Sequence, residues 1–356
     1  MIITIDCRQI DSSGTGVYLR ECLPFFLKSD HKFILLGNSN RLGISFLKYI
    51  NIEIIECSIK SFSIVELLFF PKKILRKINN SDLYYSPFFN IPGGIKIPVF
   101  STIHDIIFPD MPELTSRFGL AIRMFFYKRC FIHSKLIFTV SEFSKSRIKN
   151  YLGNEKPIVV THSAIQEQFL KLHSKIVNIK KKEIIVFIGN IKKHKGLNCL
   201  LEAFLLAKNE GIPHILIVIG DNKNFRTHDN DFLKKLNSFD QNTVFFTGHI
   251  TNEQLIDYIS SATLLIQPSL YEGFCLPPLE ALVLGTQAII SNIPVLKEIY
   301  SEYPVIFFQA GDPIDLKNKI VSTISNKTKI SLPDHLATKY TFQKTSSIIM
   351  ENLTAS

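Results

Sequence analysis

No stretch of this chain reaches the roughly 18–20 uninterrupted apolar residues that a membrane-spanning helix needs, so no spanning segment is expected. Cysteine is sparse and scattered: Cys7, Cys22, Cys57, Cys130, Cys199 and Cys275 form no C-x-x-C pair and show no metal-ligand spacing. A disulfide framework and a zinc site therefore have no support, and reduced thiols in a cytoplasmic protein are expected. The opening MIITIDCRQ lacks a basic flank, a long apolar run and a small-residue cleavage site, and reads as a first strand instead of a signal peptide. Acidic residues are in short supply, 31 against 41 Lys and Arg, which gives a formal net charge of +10. That surplus calls for an anionic partner or simply keeps a lysine-rich surface solvated. Nucleic acid is not expected, because zinc-finger spacing, a recognition-helix motif and an aromatic-studded RNA-binding signature are all missing. Phosphorylated sugars, diphosphate lipids and an anionic membrane face remain.

What is present is a folding composition: 46% hydrophobic and only 20% charged residues over 356, enough for two domains with separate cores. The first half alternates β-branched runs with helical patterns, the signature of a parallel sheet covered by helices. Strands are predicted at 1–7, 31–37, 51–57, 82–87, 98–105, 135–142 and 157–164, with helices following from about Val17, Ser63, Leu114 and Phe143. The polar, basic stretch Lys171 to Lys182 breaks the rhythm and reads as a linker. A second set of strands is predicted at 183–190, 214–221, 242–249, 262–269, 287–292 and 305–309. Two doubly wound α/β domains follow, 1–170 and 171–356.

The most informative segment is QPSLYEGFCLPPLEALVLGTQAIISNIP, Gln267 to Pro294. It reads as strand end, loop, helix, turn and next strand, with Glu272 and Glu280 eight residues apart. Gly273 permits close backbone approach, and Pro277 and Pro278 suit a first helical turn. The loop then aims the amides of Gly273, Phe274, Cys275 and Leu276 at a ligand from a helix N-terminus, a setting that favours phosphate. Glu280, on the helix flank, is positioned to grip a ribose diol, with Glu272 at the far end of a nucleotide diphosphate. The plainer alternative is an ordinary strand-to-helix turn with solvated glutamates.

This wording resembles the E-x7-E signature of family 4 retaining glycosyltransferases, within the group 1 glycosyltransferases. The resemblance implies a GT-B fold, two facing Rossmann-like doubly wound domains with an interdomain cleft. It also implies that the closing helix, about 340–353, returns to the first domain. The second domain would bind a nucleotide-sugar donor and the first an acceptor. Gly14 and Gly16 stand where the family places its glycine-rich loop, although the third glycine of the dinucleotide fingerprint is missing and a plain turn remains open. His104, in the run Ile103-His104-Asp105 before Phe108-Pro109, matches the histidine that contacts the donor sugar, and Asp105 and Ser141 lie at the periphery. For Ser141 helix capping is a sufficient explanation.

Relatives carry a basic pair for the diphosphate in the segment that is GNIKKHKG here. Lys195 matches the lysine, whereas His194 or Asn190 stands where the arginine would be. A neutral imidazole offers one donor in place of a rigid guanidinium fork. A second departure falls at Thr161 to Ile165, where relatives often have an Asn-Gly pair and an aspartate. Asp229-Asn230-Asp231 spells the D-x-D of metal-dependent transferases of another fold, but its polar loop setting favours capping.

The expected function is a metal-independent, retaining transfer of a hexose-type sugar from a nucleotide diphosphate, with no cofactor and no metal site. The acceptor is expected to be a lipid-linked glycan of bacterial surface-polysaccharide synthesis, of O-antigen or capsule type. His104, Lys195 and Glu272 are the catalytic candidates. Alternatives are a catalytically weak nucleotide-sugar-binding partner of another transferase and a GT-B sugar-nucleotide epimerase; a phosphorylase would need a pyridoxal-lysine motif that is not found. Two basic-aromatic segments, 64–77 and 117–129, read either as interfacial helices on the inner face of the cytoplasmic membrane or as core helices with solvated charges.

Overall fold

The computed structural model describes residues 1–12, 14–173, 179–220, 243–326, 330 and 332–355. The D-x-D at 229–231 lies outside them, as does the middle of the predicted linker.

All thirteen predicted strands are present, most of them shortened by one to four residues, while β8 starts one residue early. In the first sheet they are β1 (Ile2–Asp6), β2 (Lys32–Gly37), β3 (Ile52–Glu56), β4 (Leu83–Ser86), β5 (Val99–Thr102), β6 (Leu136–Thr139) and β7 (Ile158–Val160). The second sheet holds β8 (Lys182–Ile188), β9 (Ile215–Ile219), β10 (Val244–Gly248), β11 (Ala262–Gln267), β12 (Gln287–Ser291) and β13 (Ile306–Phe308). Runs such as Ile215-Leu216-Ile217-Val218-Ile219 are buried on both faces, as a helix-covered parallel sheet requires.

The strand orders are β3-β2-β1-β4-β5-β6-β7 and β10-β9-β8-β11-β12-β13, and neighbouring strands pair in parallel. Both are doubly wound orders that reverse beside their first strand, between β1 and β4 and between β8 and β11. At such a reversal the flanking loops diverge and leave a crevice beyond the strands' carboxyl ends. The segments carrying Arg8, Lys195 and Glu272 leave from these ends.

The chain divides into two units, 1–164 with 340–356, and 165–339. The division falls between Ala164 and Ile165, ahead of the expected boundary after Leu170, because the helix Glu167–His173 packs on the helix Pro277–Val283 of the second unit. The closing helix Phe342–Thr354 is capped by Thr341 and packs along the helix Gly14–Phe26 of the first unit. There Thr345 donates to the carbonyl of Thr161 at 3.2 Å, and Ile349 and Leu353 are fully buried.

Each unit has its own core. Tyr84, Ile103, Tyr127, Ile137 and Ile148 lie in the first, and Phe187, Leu200, Phe204, Leu216, Leu264 and Ile289 in the second.

Helix starts differ from expectation by a few residues. The helix expected from Val17 begins at Gly14, and the one expected from Leu114 is a short 3-10 turn, Pro112–Leu114, followed by Arg117–His133 with Ser116 as its cap.

Candidate functional site

The second domain's loop after β8 turns through Lys193–Lys195 and enters the helix Leu197–Asn209 at Gly196, whose φ is +71°. A side chain there would be strained by conformation and by space, since a Cβ would lie 1.9 Å from the carbonyl oxygen of Pro268. This approach, together with the Leu270 amide donating to the His194 carbonyl at 2.7 Å, fixes the β8 loop against the β11 loop.

Lys195 Nζ consequently sits 2.8 Å from both carboxylate oxygens of Glu272. Ser269 adds a hydrogen bond to Glu272 Oε1 at 2.7 Å. Burial alone would raise the carboxyl's pKa, but the Lys195 charge and the hydrogen bonds from Lys195 and Ser269 outweigh it and hold Glu272 below the ordinary range. Two of the three catalytic candidates, Lys195 and Glu272, are thus each other's counter-ion.

Neighbouring groups are neutral. Burial, then the charge of Lys195, lowers His194 to about 4, so its imidazole is uncharged at pH 7 and does not replace a guanidinium. His194 Nδ1 is buried and has no hydrogen-bond partner among the described residues. Asn190 is exposed. Burial, then the Glu272 carboxylate, pushes the Cys275 thiol well up, so it stays protonated.

In the loop before the helix Pro277–Val283, both prolines lie in the first turn as expected. The left-handed residue, however, is Cys275 at φ +77°, not Gly273. A non-glycine in this region costs of order 1–3 kcal/mol. The buried Tyr300 hydroxyl donates to the Cys275 carbonyl and helps to hold it. Phe274 is buried, while Gly273 and Leu276 are half-buried.

Glu280 is 8% exposed, and its carboxylate makes no hydrogen bond or ion pair among the described residues. Burial with no compensating donor raises it to about 7. An ionisable group in this state lacks the hydrogen bonds that its burial demands.

The first-domain candidates resolve differently. His104 Nε2 donates to the Pro87 carbonyl at 3.0 Å, its ring lies edge-on to Tyr18, and burial lowers it to about 4. It is therefore neutral at pH 7, and its other nitrogen is an acceptor. Asp105 accepts from the Ile107 amide at 3.2 Å, one residue ahead of the cap position Ile106, whereas Ser141 caps its helix by accepting from the Ser144 amide at 3.0 Å. Gly16 is required by packing, because a Cβ there would meet the Ile10 carbonyl at 2.6 Å, whereas a Cβ on Gly14 meets open space. Ile165, where relatives often have an acid, is a buried core side chain.

Sequence reasoning missed a buried network next to these residues. Arg8 pairs at 2.5 Å with both Asp6 and Glu66, and all three are at most 3% exposed at the side chain. Tyr84 donates to Asp6 at 2.8 Å and Asn90 to Glu66 at 2.9 Å. The signal available was Asp6 and Arg8 at the carboxyl end of the first strand.

Comparison with known proteins agrees with this geometry. Residues 169–339 match the family described as Glycosyl transferases group 1. The second domain is a group 1 glycosyltransferase domain. The chain is similar to O-antigen chain mannosyltransferase B of Escherichia coli, 27% identical over 66% of this chain and 62% of that protein. It is equally similar to O-antigen chain mannosyltransferase RfbU of Salmonella typhimurium, 27% identical over 64% and 61%. The matched stretches thus span under two thirds of those relatives. Among solved structures, HepE of Anabaena in complex with UDP and glucose superposes over 100% of both chains with a TM-score of 0.72 at 17% identity. The lipopolysaccharide outer core galactosyltransferase WaaB superposes over 99% of both chains with a TM-score of 0.62 at 16% identity. These likenesses show the fold, the GT-B class of two Rossmann-like domains.

In the glycosyltransferase domain, removing one member of the Lys195–Glu272 pair strands the other as a buried charge. Lys195→Met is expected to lower stability by up to ~3 kcal/mol at pH 7, and the double variant Lys195→Met/Glu272→Gln to lose less than that single change. Urea unfolding of the three variants and the parent measures this; a double variant as unstable as the sum of the singles contradicts a direct pairing.

Proposed function

We propose that the chain is a retaining glycosyltransferase that moves a hexose-type sugar from a nucleotide diphosphate to a glycan acceptor without a metal ion or cofactor. The observation that carries this reading is Glu280, a buried carboxylate with no donor among the described residues, on the same loop-and-helix segment as Glu272, the partner of Lys195. A ribose diol supplies the two hydroxyl donors that such a carboxylate lacks.

Toward the reacting end, Lys195 would turn from Glu272 to share its charge with the diphosphate, and the freed Glu272 would orient sugar hydroxyls and favour the positive anomeric carbon. Charge developing on the leaving diphosphate would be met by Lys195 and the loop around Gly273. Preorganised donors of this kind are commonly worth ~10²–10³ in rate each. His104, neutral with one nitrogen committed, would accept a hydrogen bond from a hydroxyl and would not act as an acid or base. Same-face attack, with the leaving phosphate taking the acceptor proton, fits a site whose neighbouring imidazole, that of His194, is uncharged. The O-antigen mannosyltransferases among its relatives support surface-polysaccharide synthesis as the setting and a hexose as the sugar.

Because ribose hydroxyls donate to the ionised form of Glu280, nucleotide binding should release a proton from a carboxyl that titrates at about 7 when empty. Affinity for the nucleoside diphosphate is therefore expected to hold steady above pH 7 and to weaken by up to about tenfold per pH unit below it. Glu280→Gln should weaken binding and flatten this profile, while Glu272→Gln should chiefly lower kcat. Calorimetry in buffers of different ionisation enthalpy reads both the affinity and the proton; a flat profile for the parent protein would count against a ribose at Glu280.

A specific observation favours a peripheral membrane position for the first domain. The segment 64–77 forms two short helices, Ile64–Leu68 and Lys72–Asn79, broken at Pro71, and the helix Arg117–His133 follows later. That long helix buries Phe126, Tyr127, Cys130 and Phe131 but leaves Phe118, Ile122, Phe125 and Ile132 exposed along one face. Leu68 and Phe69 are 72% and 69% exposed, beside exposed Lys72, Lys73 and Arg76. Some of the positive charge is committed within the domain, since Arg123 lies over the Phe108 ring and Lys77 pairs with Glu53.

Apolar side chains flanked by lysines and arginines suit the headgroup region of an anionic bilayer, where each cation contributes about 1 kcal/mol. No helix among the described residues is long and apolar enough to cross a membrane. Phosphatidylglycerol vesicles should bind the protein at low salt and release it as salt rises. Lys72→Gln/Lys73→Gln/Arg76→Gln and Leu68→Ser/Phe69→Ser should each weaken binding in sedimentation. Absence of binding at low salt would leave a soluble acceptor.

A further inference from the structure

The loops after β1, β2 and β3 enclose a cavity of about 500 Å³ lined by Arg8, Gln9, Asn38, Glu56, Ser58 and Phe62, with Lys60 and Ser61 also on its wall. Its size lies within the roughly 300–1,000 Å³ of small-molecule sites, and it opens at the carboxyl edge of a parallel sheet, where such sites collect. The wall is preorganised. Arg8, locked by Asp6 and Glu66, donates to the Ile59 carbonyl at 3.2 Å. Glu66 also accepts from the Phe62 amide at 2.6 Å, which holds Phe62 at φ +60°. A bulky residue in the left-handed region persists only where its surroundings enforce it, and here a buried ion network does so.

We propose that this cavity binds a neutral saccharide unit, and, resting on the transferase reading above, that the unit belongs to the acceptor. Its polar groups are uncommitted and of the type that pairs with sugar hydroxyls. Among the described residues, the side chains of Gln9, Ser58 and Ser61 make no hydrogen bond, and Asn38 uses only its oxygen, to cap Arg41. Glu56 uses one carboxylate oxygen, Oε2, on Ser39 and leaves the other for a hydroxyl. The charge balance, with the carboxylates behind the wall included, disfavours a phosphate. Arg8 and Lys60 are outnumbered by Asp6, Glu56 and Glu66, and the guanidinium of Arg8 is already shared between two carboxylates. Phe62, tilted against Phe89 and edge-on to Phe126, gives the wall an apolar patch for a sugar ring face.

Saturation-transfer NMR on the full chain tests this with the methyl α-glycosides of mannose, glucose and galactose and methyl N-acetyl-β-glucosaminide, each with and without saturating UDP or GDP. At least one glycoside should show transfer that persists with nucleotide present. Ser58→Trp, which fills the cavity from an exposed position, and Gln9→Ala should each reduce that transfer at least fivefold while nucleotide binding is unchanged. Mannose 6-phosphate should transfer no better than the neutral glycosides. The cavity's role is overturned by no transfer from any glycoside, by transfer that survives Ser58→Trp, or by preference for the phosphorylated sugar. Glycoside binding lost in Ser58→Trp, in a protein that binds no nucleotide, would uphold the cavity and sink the transferase reading instead.

Discussion

The contact on which the candidate site depends is the close approach of Gly196 to the Pro268 carbonyl. It brings two loops from opposite sides of the sheet reversal together and thereby pairs Lys195 with Glu272 across 77 residues of sequence. Without it, Glu272 would be a buried carboxylate with one hydroxyl partner, and Lys195 a solvated cation. With it, a neutral pair stands ready beside a loop that Cys275 and Tyr300 hold in a strained turn. Glu280, eight positions on, has been left unpaired. One carboxylate is satisfied by the protein and the other is not, and this asymmetry separates a group that waits for a ligand from one that must be released by it.

Asymmetry of the same kind marks the first domain. Its buried Asp6–Arg8–Glu66 network spends its charge internally and fixes the loop from Cys57 to Phe62, on a wall where the amides and hydroxyls of Gln9, Asn38, Ser58 and Ser61 stand beside Glu56 and Lys60. Fixed charge here shapes a cavity without offering itself to an anion. A cluster of cations lies instead on the surface of this domain, at Lys72, Lys73 and Arg76, next to exposed aromatic and aliphatic side chains.

The strands were legible because parallel strands covered on both faces need nearly unbroken β-branched runs, and those runs are bounded by turn residues. Glu272, Glu280 and the paired prolines were legible for the same reason: their spacing is local. What depends on distant partners was not. The Lys195–Glu272 pair joins separate loops, and no local pattern announces it. Cys275 takes a left-handed conformation that its residue type does not announce, held by the Tyr300 hydroxyl and the surrounding burial. Asp105 and Ser141 carry side chains equally suited to a site or to local backbone bonding; Ser141 caps a helix and Asp105 accepts from the Ile107 amide in the turn before one. Asp6 and Arg8 sit where a strand ends, and only the positions of Glu66, Tyr84 and Asn90 show that they are buried.

The account's central claim is transfer of sugar from a nucleotide diphosphate with retention at the anomeric carbon, without metal. The most direct measurement incubates the purified chain in chelator with anomerically pure nucleotide-linked hexoses and lipid-linked acceptors, and assigns the new linkage by the one-bond carbon–proton coupling of its anomeric centre. A product with the donor's own anomeric configuration, formed at an undiminished rate in chelator, is predicted. An inverted product, or turnover that returns only on adding magnesium or manganese, would contradict it.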